Sequence, residues 1–372
     1  MTPDEDDEVA GAQRRSSPSE GHEPGDPTTL GPSGGPSPAG EQPGGTAARS
    51  PAGRNGGDVR RAPGATQERV EPGRPRTYYG EPVLKQPVWS PEVAIYFFTG
   101  GLAGASAPLA FAAELAGNPR LARSAWIAAM AGLGVSPVLL IKDLGRPERF
   151  LNMLRVFKIT SPMSVGTWIL SATGGAVTLA AARSVLGRFE TLGAAGGAVA
   201  AALGPALTTY TAVLIADTAV PAWHEAYPEL PFVFAGSAAG SAGAAAVLLT
   251  PPELAGPARR LALIGVAAEL VATRAMKRRL GDVGRPYHEG DGGRFLKLAE
   301  KLVLGGAGLI ATRGSRRPAA MAGAALTLGG AMATRWGIFR AGFASAADPD
   351  ATVGPQRARL AKTGGRHSRP PD

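Results

Sequence analysis

The sequence predicts an all-α integral membrane protein: eight transmembrane helices forming two four-helix bundles in parallel repeat, with disordered termini. Three observations carry this. Between about residues 92 and 340 the chain is a succession of eight apolar segments, each near the roughly 20 residues a helix needs to cross a bilayer core. The segments are rich in Gly, Ala, Ser and Pro, small residues that let transmembrane backbones approach closely. A short charged motif then recurs after the second and the sixth segment. The composition excludes an average soluble domain: 52 Gly and 33 Pro among 372 residues, with 44% hydrophobic and only 19% charged.

Residues 1–76 are polar and rich in Pro, Gly, Ser, Arg and Glu, and cannot bury enough surface to offset chain entropy. They read as a disordered tail, as do residues 345–372. The opening MTPDEDDEVA has neither the basic start nor the apolar stretch of a secretory signal. The membrane part covers 77–344. Its segments are about 92–115, 122–141, 163–186, 192–216, 230–250, 259–276, 296–312 and 318–340. Small residues recur at i, i+4 in Gly100/Gly104, Gly193/Gly197 and Gly236/Gly240. The seventh segment is the weakest, because Lys297, Glu300 and Lys301 must snorkel or face the bundle interior.

Eight crossings put both termini on one side. The connections there hold Lys142, Arg146, Arg149, Arg155 and Lys158, then Lys277, Arg278, Arg279, Arg285 and Arg294, and the positive-inside rule makes that side cytoplasmic. The net charge of +9 records these connections and the tails, and implies no nucleic-acid partner. The lipid bilayer is the partner that composition demands.

The repeat pairs Asp143-Leu144-Gly145-Arg146-Pro147 with Asp282-Val283-Gly284-Arg285-Pro286. Arg149-Phe150-Leu151 is echoed by Arg294-Phe295-Leu296, and Gly101–Ala107 aligns with Gly236–Ala242. An even number of helices between copies gives both the same orientation, so the halves, about 92–190 and 192–343, form a parallel repeat.

With no Cys, the chain holds no iron–sulfur cluster on thiolates and no thioether-linked haem. Its four His (His22, His224, His288 and His367) fall in tails or connections, so no pair is placed to ligate haem inside the bundle. Charges inside apolar segments cost roughly 2.5–3.5 kcal/mol and usually face the protein interior. Asp217, Glu269 and Arg335, with His224 in the following connection, are therefore candidates for proton transfer. Glu92 and Tyr96 share a helical face at the start of the first segment. With Tyr210 in the fourth segment they make a candidate polar pocket near one membrane face. Buried charges within repeated bundles also suit a secondary transporter or proton-conducting protein, which is the alternative reading.

The motifs YYGEPV at 78–83, YFFTGGLAG at 96–104, DLGRPERFLNMLRVF at 143–157, SPMSVG at 161–166 and ADTAVPAWHE at 216–225 resemble the NrfD / polysulfide reductase membrane-subunit family, over about 77–343. The resemblance implies a haem-free anchor subunit that is not itself the catalytic centre. It implies electron exchange between a menaquinone or ubiquinone pool and a four-cluster ferredoxin-like iron–sulfur subunit, which serves a molybdopterin oxidoreductase. It also implies quinone binding at Glu92, Tyr96 and Tyr210. The docking surface for the partner is then the connection that holds Asp143, Arg146, Pro147 and Arg149.

Overall fold

The computed structural model describes residues 82–354, apart from Pro147 and the side chain of Arg149. The expected tail over 1–76, and the part of the expected 345–372 tail beyond residue 354, lie outside the described residues. In chain order come α1 (Pro91–Leu115), α2 (Pro119–Asp143), the short α3 (Glu148–Met153), α4 (Pro162–Leu186), α5 (Glu190–Ala216), the short α6 (Pro221–Glu225), α7 (Leu230–Leu249), α8 (Gly256–Leu280), a 3-10 turn (Gly281–Tyr287), α9 (Gly290–Arg313) and α10 (Arg317–Ala347). No strand occurs among the described residues.

Proline opens several of these helices. Pro91, Pro119 and Pro162 sit where a missing N–H costs nothing and a fixed φ favours the helix. Side-chain caps complete two starts: Asn118 Oδ1 accepts the Leu121 N–H, and Ser161 Oγ accepts the Ser164 N–H. Each expected segment therefore has its helix. The last one departs at its end. Expected to stop near 340, α10 runs on to Ala347, and residues 349–354 are again helical. Contacts across helices hold this stretch: Arg340 pairs with Asp291 at 2.7 Å, and Arg285 with Asp348 at 2.6 Å.

Long helices joined by short turns pack as hairpins: α1 on α2, α4 on α5, α7 on α8, and α9 on α10. In addition α1 packs on α5, α7 on α10, and α1 on α7. Glycine permits the tightest crossings. A Cβ on Gly204 of α5 would fall 2.2 Å from the carbonyl oxygen of Gly104 on α1, and one on Gly265 of α8 would fall 2.1 Å from the Gly240 nitrogen on α7. Gly104 and Gly240 each belong to a small-residue pair read from the sequence.

Hydrogen bonds fix the two ends of the bundle. At the hairpin end, Glu114 accepts from Trp126 Nε1 and from Arg183, both at 2.8 Å. There Arg317 donates to the carbonyls of Val247, Leu248 and Thr250, capping the C-terminus of α7. At the opposite, long-connection end, α6 is keyed into the core. Trp223 is fully buried, stacks on Trp89 at 5.6 Å and donates to the Ile338 carbonyl at 2.8 Å. Tyr287 donates to the Ala222 carbonyl, and Ser345 Oγ accepts the Ala222 N–H.

Five helices are long and apolar enough to cross a membrane: α1, α2, α4, α5 and α7. By the same criterion α8, α9 and α10 do not qualify among the described residues. They carry Glu269, Arg274 and Lys277, then Lys297, Glu300 and Lys301, then Arg317, Arg335 and Arg340.

Candidate functional site: a groove at Tyr210

The segment Ser161–Gly166 builds the site. Ser161 and Pro162 start α4, and Ser164 ties down the connection before it. The Ser164 hydroxyl donates to the Val156 carbonyl and accepts the Lys158 N–H, both at 3.0 Å. This holds the connection, with exposed Phe157 and Ile159, at the head of α4. At Gly166 the absence of a side chain makes room for an aromatic ring: a Cβ there would stand 2.2 Å from Cε2 of Tyr210 on α5.

Between α4 and α5 runs a groove of ≈ 370 Å³, lined among others by Thr160, Val165, Ile169, Thr209, Tyr210 and Asp217. Its walls are largely apolar. The phenol of Tyr210 stands on one side, and the Asp217 carboxylate at the C-terminal cap of α5 marks the long-connection end. His224 Nδ1 lies 3.0 Å from the Ala216 carbonyl, which can only accept, so Nδ1 carries the hydrogen and the ring is tethered beside Asp217. Such a slot suits a flat ring with polar oxygens and an apolar tail. Behind Tyr210 stands Tyr96, edge-on with ring centroids 6.4 Å apart. Tyr96 is 2% exposed, and its hydroxyl has no hydrogen-bond partner among the described residues.

The other sequence candidates lie elsewhere. Glu92 does not line the groove; its carboxylate pairs with Lys142 of α2 at 2.6 Å. Asp143 is engaged internally, accepting the Ser90 N–H at 2.8 Å and the Ser90 hydroxyl at 2.7 Å, which clasps the start of α1. Arg146 is exposed on the connection, while Pro147 and the Arg149 side chain lie outside the described residues. Glu269 and Arg335 are buried at 3% and 1% exposure, among α7, α8 and α10.

Sequence reading overlooked Lys142 as the partner of Glu92, and Gly166 as the seat of Tyr210. The second carried a signal, since it ends the SPMSVG motif, but nothing in the sequence says which ring a glycine receives.

The family model described as polysulphide reductase, NrfD, matches residues 81–274, from the residues before α1 into α8. The chain belongs to the NrfD family. No curated protein matches it individually. As an NrfD-family chain with several apolar helices it is a multi-pass membrane protein, and the family's place as the membrane subunit of oxidoreductase complexes supports a membrane-anchor role. The match includes Tyr96, Gly166, Tyr210, Asp217 and Glu269, and ends before α9 and α10.

Proposed function

We propose that this NrfD-family chain is the haem-free anchor through which an oxidoreductase complex exchanges electrons with the quinone pool. Its expected partners are a four-cluster iron–sulfur subunit and, through it, a molybdopterin oxidoreductase subunit. The observation that supports this most directly is the α4/α5 groove, with a phenol on its wall and a carboxylate at its end. A menaquinone or ubiquinone bound there supplies two-electron, two-proton redox chemistry. Tyr210 donates a hydrogen bond to a ring oxygen. Asp217, next to the tethered His224, receives or returns protons at the long-connection end. Tyr96 packs behind Tyr210 and sets its angle, so its contribution to binding runs through the Tyr210 ring. Glu92, paired with Lys142, steadies the start of α1 beside them.

All eight long helices cross the membrane in this reading. Exposed Ile264 and Val271 on α8, and Leu298 and Leu304 on α9, give even the more polar helices an apolar outward face. The packing of α1 on α2 and α5, matched by that of α7 on α8 and α10, supports two bundles in parallel repeat. The partner docks on the long-connection end, near exposed Arg146. The charge of those connections favours the cytoplasmic side for it.

The test is Tyr210→Phe in the complex purified with its partners. Quinol-dependent electron transfer to the iron–sulfur partner falls about tenfold or more, while subunit composition is unchanged. Wild-type rates in that variant would refute the assignment.

A further inference from the structure

The second half of the chain buries a carboxyl group that the quinone groove does not use. Glu269 lies on α8, about 16 Å along the helix from its C-terminus at Leu280, taking 1.5 Å per residue. Thr334 of α10 donates to its Oε1 at 2.6 Å. On the α7 side, a Cβ on Gly236 would fall 2.5 Å from the Glu269 nitrogen, and next in sequence is Ser237, buried with an unpartnered hydroxyl. Arg335, also on α10, donates to the Phe234 carbonyl at 2.8 Å and lies 3.8 Å over the Phe234 ring. Its Nε and Nη1 have no partner, and it makes no ion pair within 4.0 Å among the described residues. The cluster therefore holds a carboxyl and a guanidinium, both almost fully buried and not closed into a salt bridge. Removing a charge from water costs several kcal/mol, and a static structural pair recovers that cost by direct contact.

The cluster is also not sealed. A cavity of ≈ 60 Å³ starts at Glu269 and Thr334 and runs between α8 and α9, past Thr273, to Arg274, Lys277 and Glu300. Glu269, Thr273 and Lys277 follow one another at i, i+4 and i+8, so they share one face of α8, directed toward the long-connection end. At the rim Arg274 pairs with Glu300 at 2.6 Å, with both side chains substantially exposed. A cavity of this size, with Glu269, Thr273, Lys277 and Glu300 on its walls, has room for a few water molecules.

We infer that Glu269 is a proton-binding site, loaded from the long-connection end through the cavity between α8 and α9. The exchange is a simple one: a proton from cavity water joins a carboxylate oxygen and later leaves by the same route. Thr334 can serve both states, because a carboxylate and the carbonyl of a carboxylic acid both accept its hydroxyl. Ser237 offers a further hydrogen-bonding group. The charges facing the site are Arg335 from α10, Arg274 and Lys277 from α8 itself, and Glu300 from α9; α7 presents only Ser237. Among the described residues no group of three His, Cys, Asp or Glu side chains gathers at Glu269, so the site lacks the donor set of a metal cation and suits a proton. This inference goes beyond the quinone reading and does not depend on it.

The experiment is infrared difference spectroscopy of the full chain, purified with its partners and reconstituted in lipid, between about pH 4 and about pH 10. A band in the protonated-carboxyl region should appear on the acid side and be lost in Glu269→Gln. Thr334→Val, which removes the hydroxyl donor, should move it to higher frequency. Thr273→Leu, which narrows the cavity, should slow its hydrogen–deuterium exchange about tenfold, while Tyr210→Phe leaves it unchanged. If Glu269→Gln fails to accumulate, the Thr334→Val shift and the Thr273→Leu slowing decide the matter. A wild-type spectrum without a band that responds to these substitutions overturns the inference and leaves the quinone reading intact. Loss of quinone activity in Tyr210→Phe with an unaltered band would support the two sites separately.

Discussion

Gly166→Ala is a small change with a large expected consequence. The added Cβ would stand 2.2 Å from Cε2 and 2.4 Å from Cδ2 of Tyr210. Carbon atoms are comfortable at about 3.5–4.0 Å, so the ring must retreat by about 1.3 Å or tilt. Tyr96 closes the opposite side, with its ring edge-on to Tyr210. Overpacking of this kind costs about 1–3 kcal/mol, and a misplacement near 1 Å at a reacting group costs about 10²-fold in rate. The three nearest atoms to the added carbon all belong to the Tyr210 ring, so the strain falls on the ring and not on the α4/α5 backbones. The expected result is a fall of about 10- to 100-fold in the kcat of quinol oxidation by the purified complex, with normal assembly. The control is Gly175→Ala on the same helix, where a Cβ would meet nothing within 4 Å; it should retain wild-type kinetics. In Gly166→Ala combined with Tyr210→Phe the losses should not add, because both act on one ring. Equal kinetics in Gly166→Ala and wild type, or an equal loss in Gly175→Ala, would refute this placement of Tyr210.

Two further predictions concern the frame around the site. Arg317→Ala removes three charge-assisted hydrogen bonds to the end of α7, and should destabilise the detergent-solubilised chain by about 2 kcal/mol, seen as a lower Tm, while Arg316→Ala at the exposed neighbour leaves Tm unchanged. Glu229, before α7, is held below the ordinary carboxylate value of 4.5 by the Arg279 guanidinium at its side; a depressed folded-state pKa stabilises the fold above that value and loses its effect as pH falls through the folded-state value, so Tm should drop on acidification below about pH 4.5, and Arg279→Gln should flatten that dependence.

The helices were legible because their signals are local. Apolar runs long enough to cross a membrane mark α1, α2, α4, α5 and α7, and shorter or more charged ones mark the other three. The end of α10 was not legible, because Arg340 and Asp348 look like solvent-facing charges until Asp291 and Arg285 meet them from other elements. The same limit governs the site. Helical spacing places Glu92 and Tyr96 on one face of α1, but cannot say that Lys142 of α2 reaches Glu92 while the Tyr96 ring turns toward α5. Asp143 stands in a motif that suggests docking, and only the fold shows Ser90 using it as a clasp. Asp217 and Tyr210 meet in one groove because two turns of α5 separate them, a relation the spacing does contain.

The failure of α8 and α10 to qualify as membrane spans follows from where their charges point. A charged residue that faces lipid near the bilayer centre costs roughly 2.5–3.5 kcal/mol. Glu269 and Arg335 are almost wholly inside the protein, whereas the exposed Ile264 and Val271 on α8 are apolar. A helix with an apolar outer face and an ionisable inner one crosses a membrane at a cost set by its inner contacts. Those contacts here are incomplete: Arg335 keeps two unpartnered nitrogens, and Glu269 has a hydroxyl donor and an open cavity instead of a bidentate cation. Apolar residues of similar volume would pack this space at lower cost, so retaining the charges is unfavourable for stability alone and makes sense where a proton comes and goes. The two halves differ accordingly: the first presents a largely apolar groove at Tyr210, and the second sets a buried ionisable group beside a cavity.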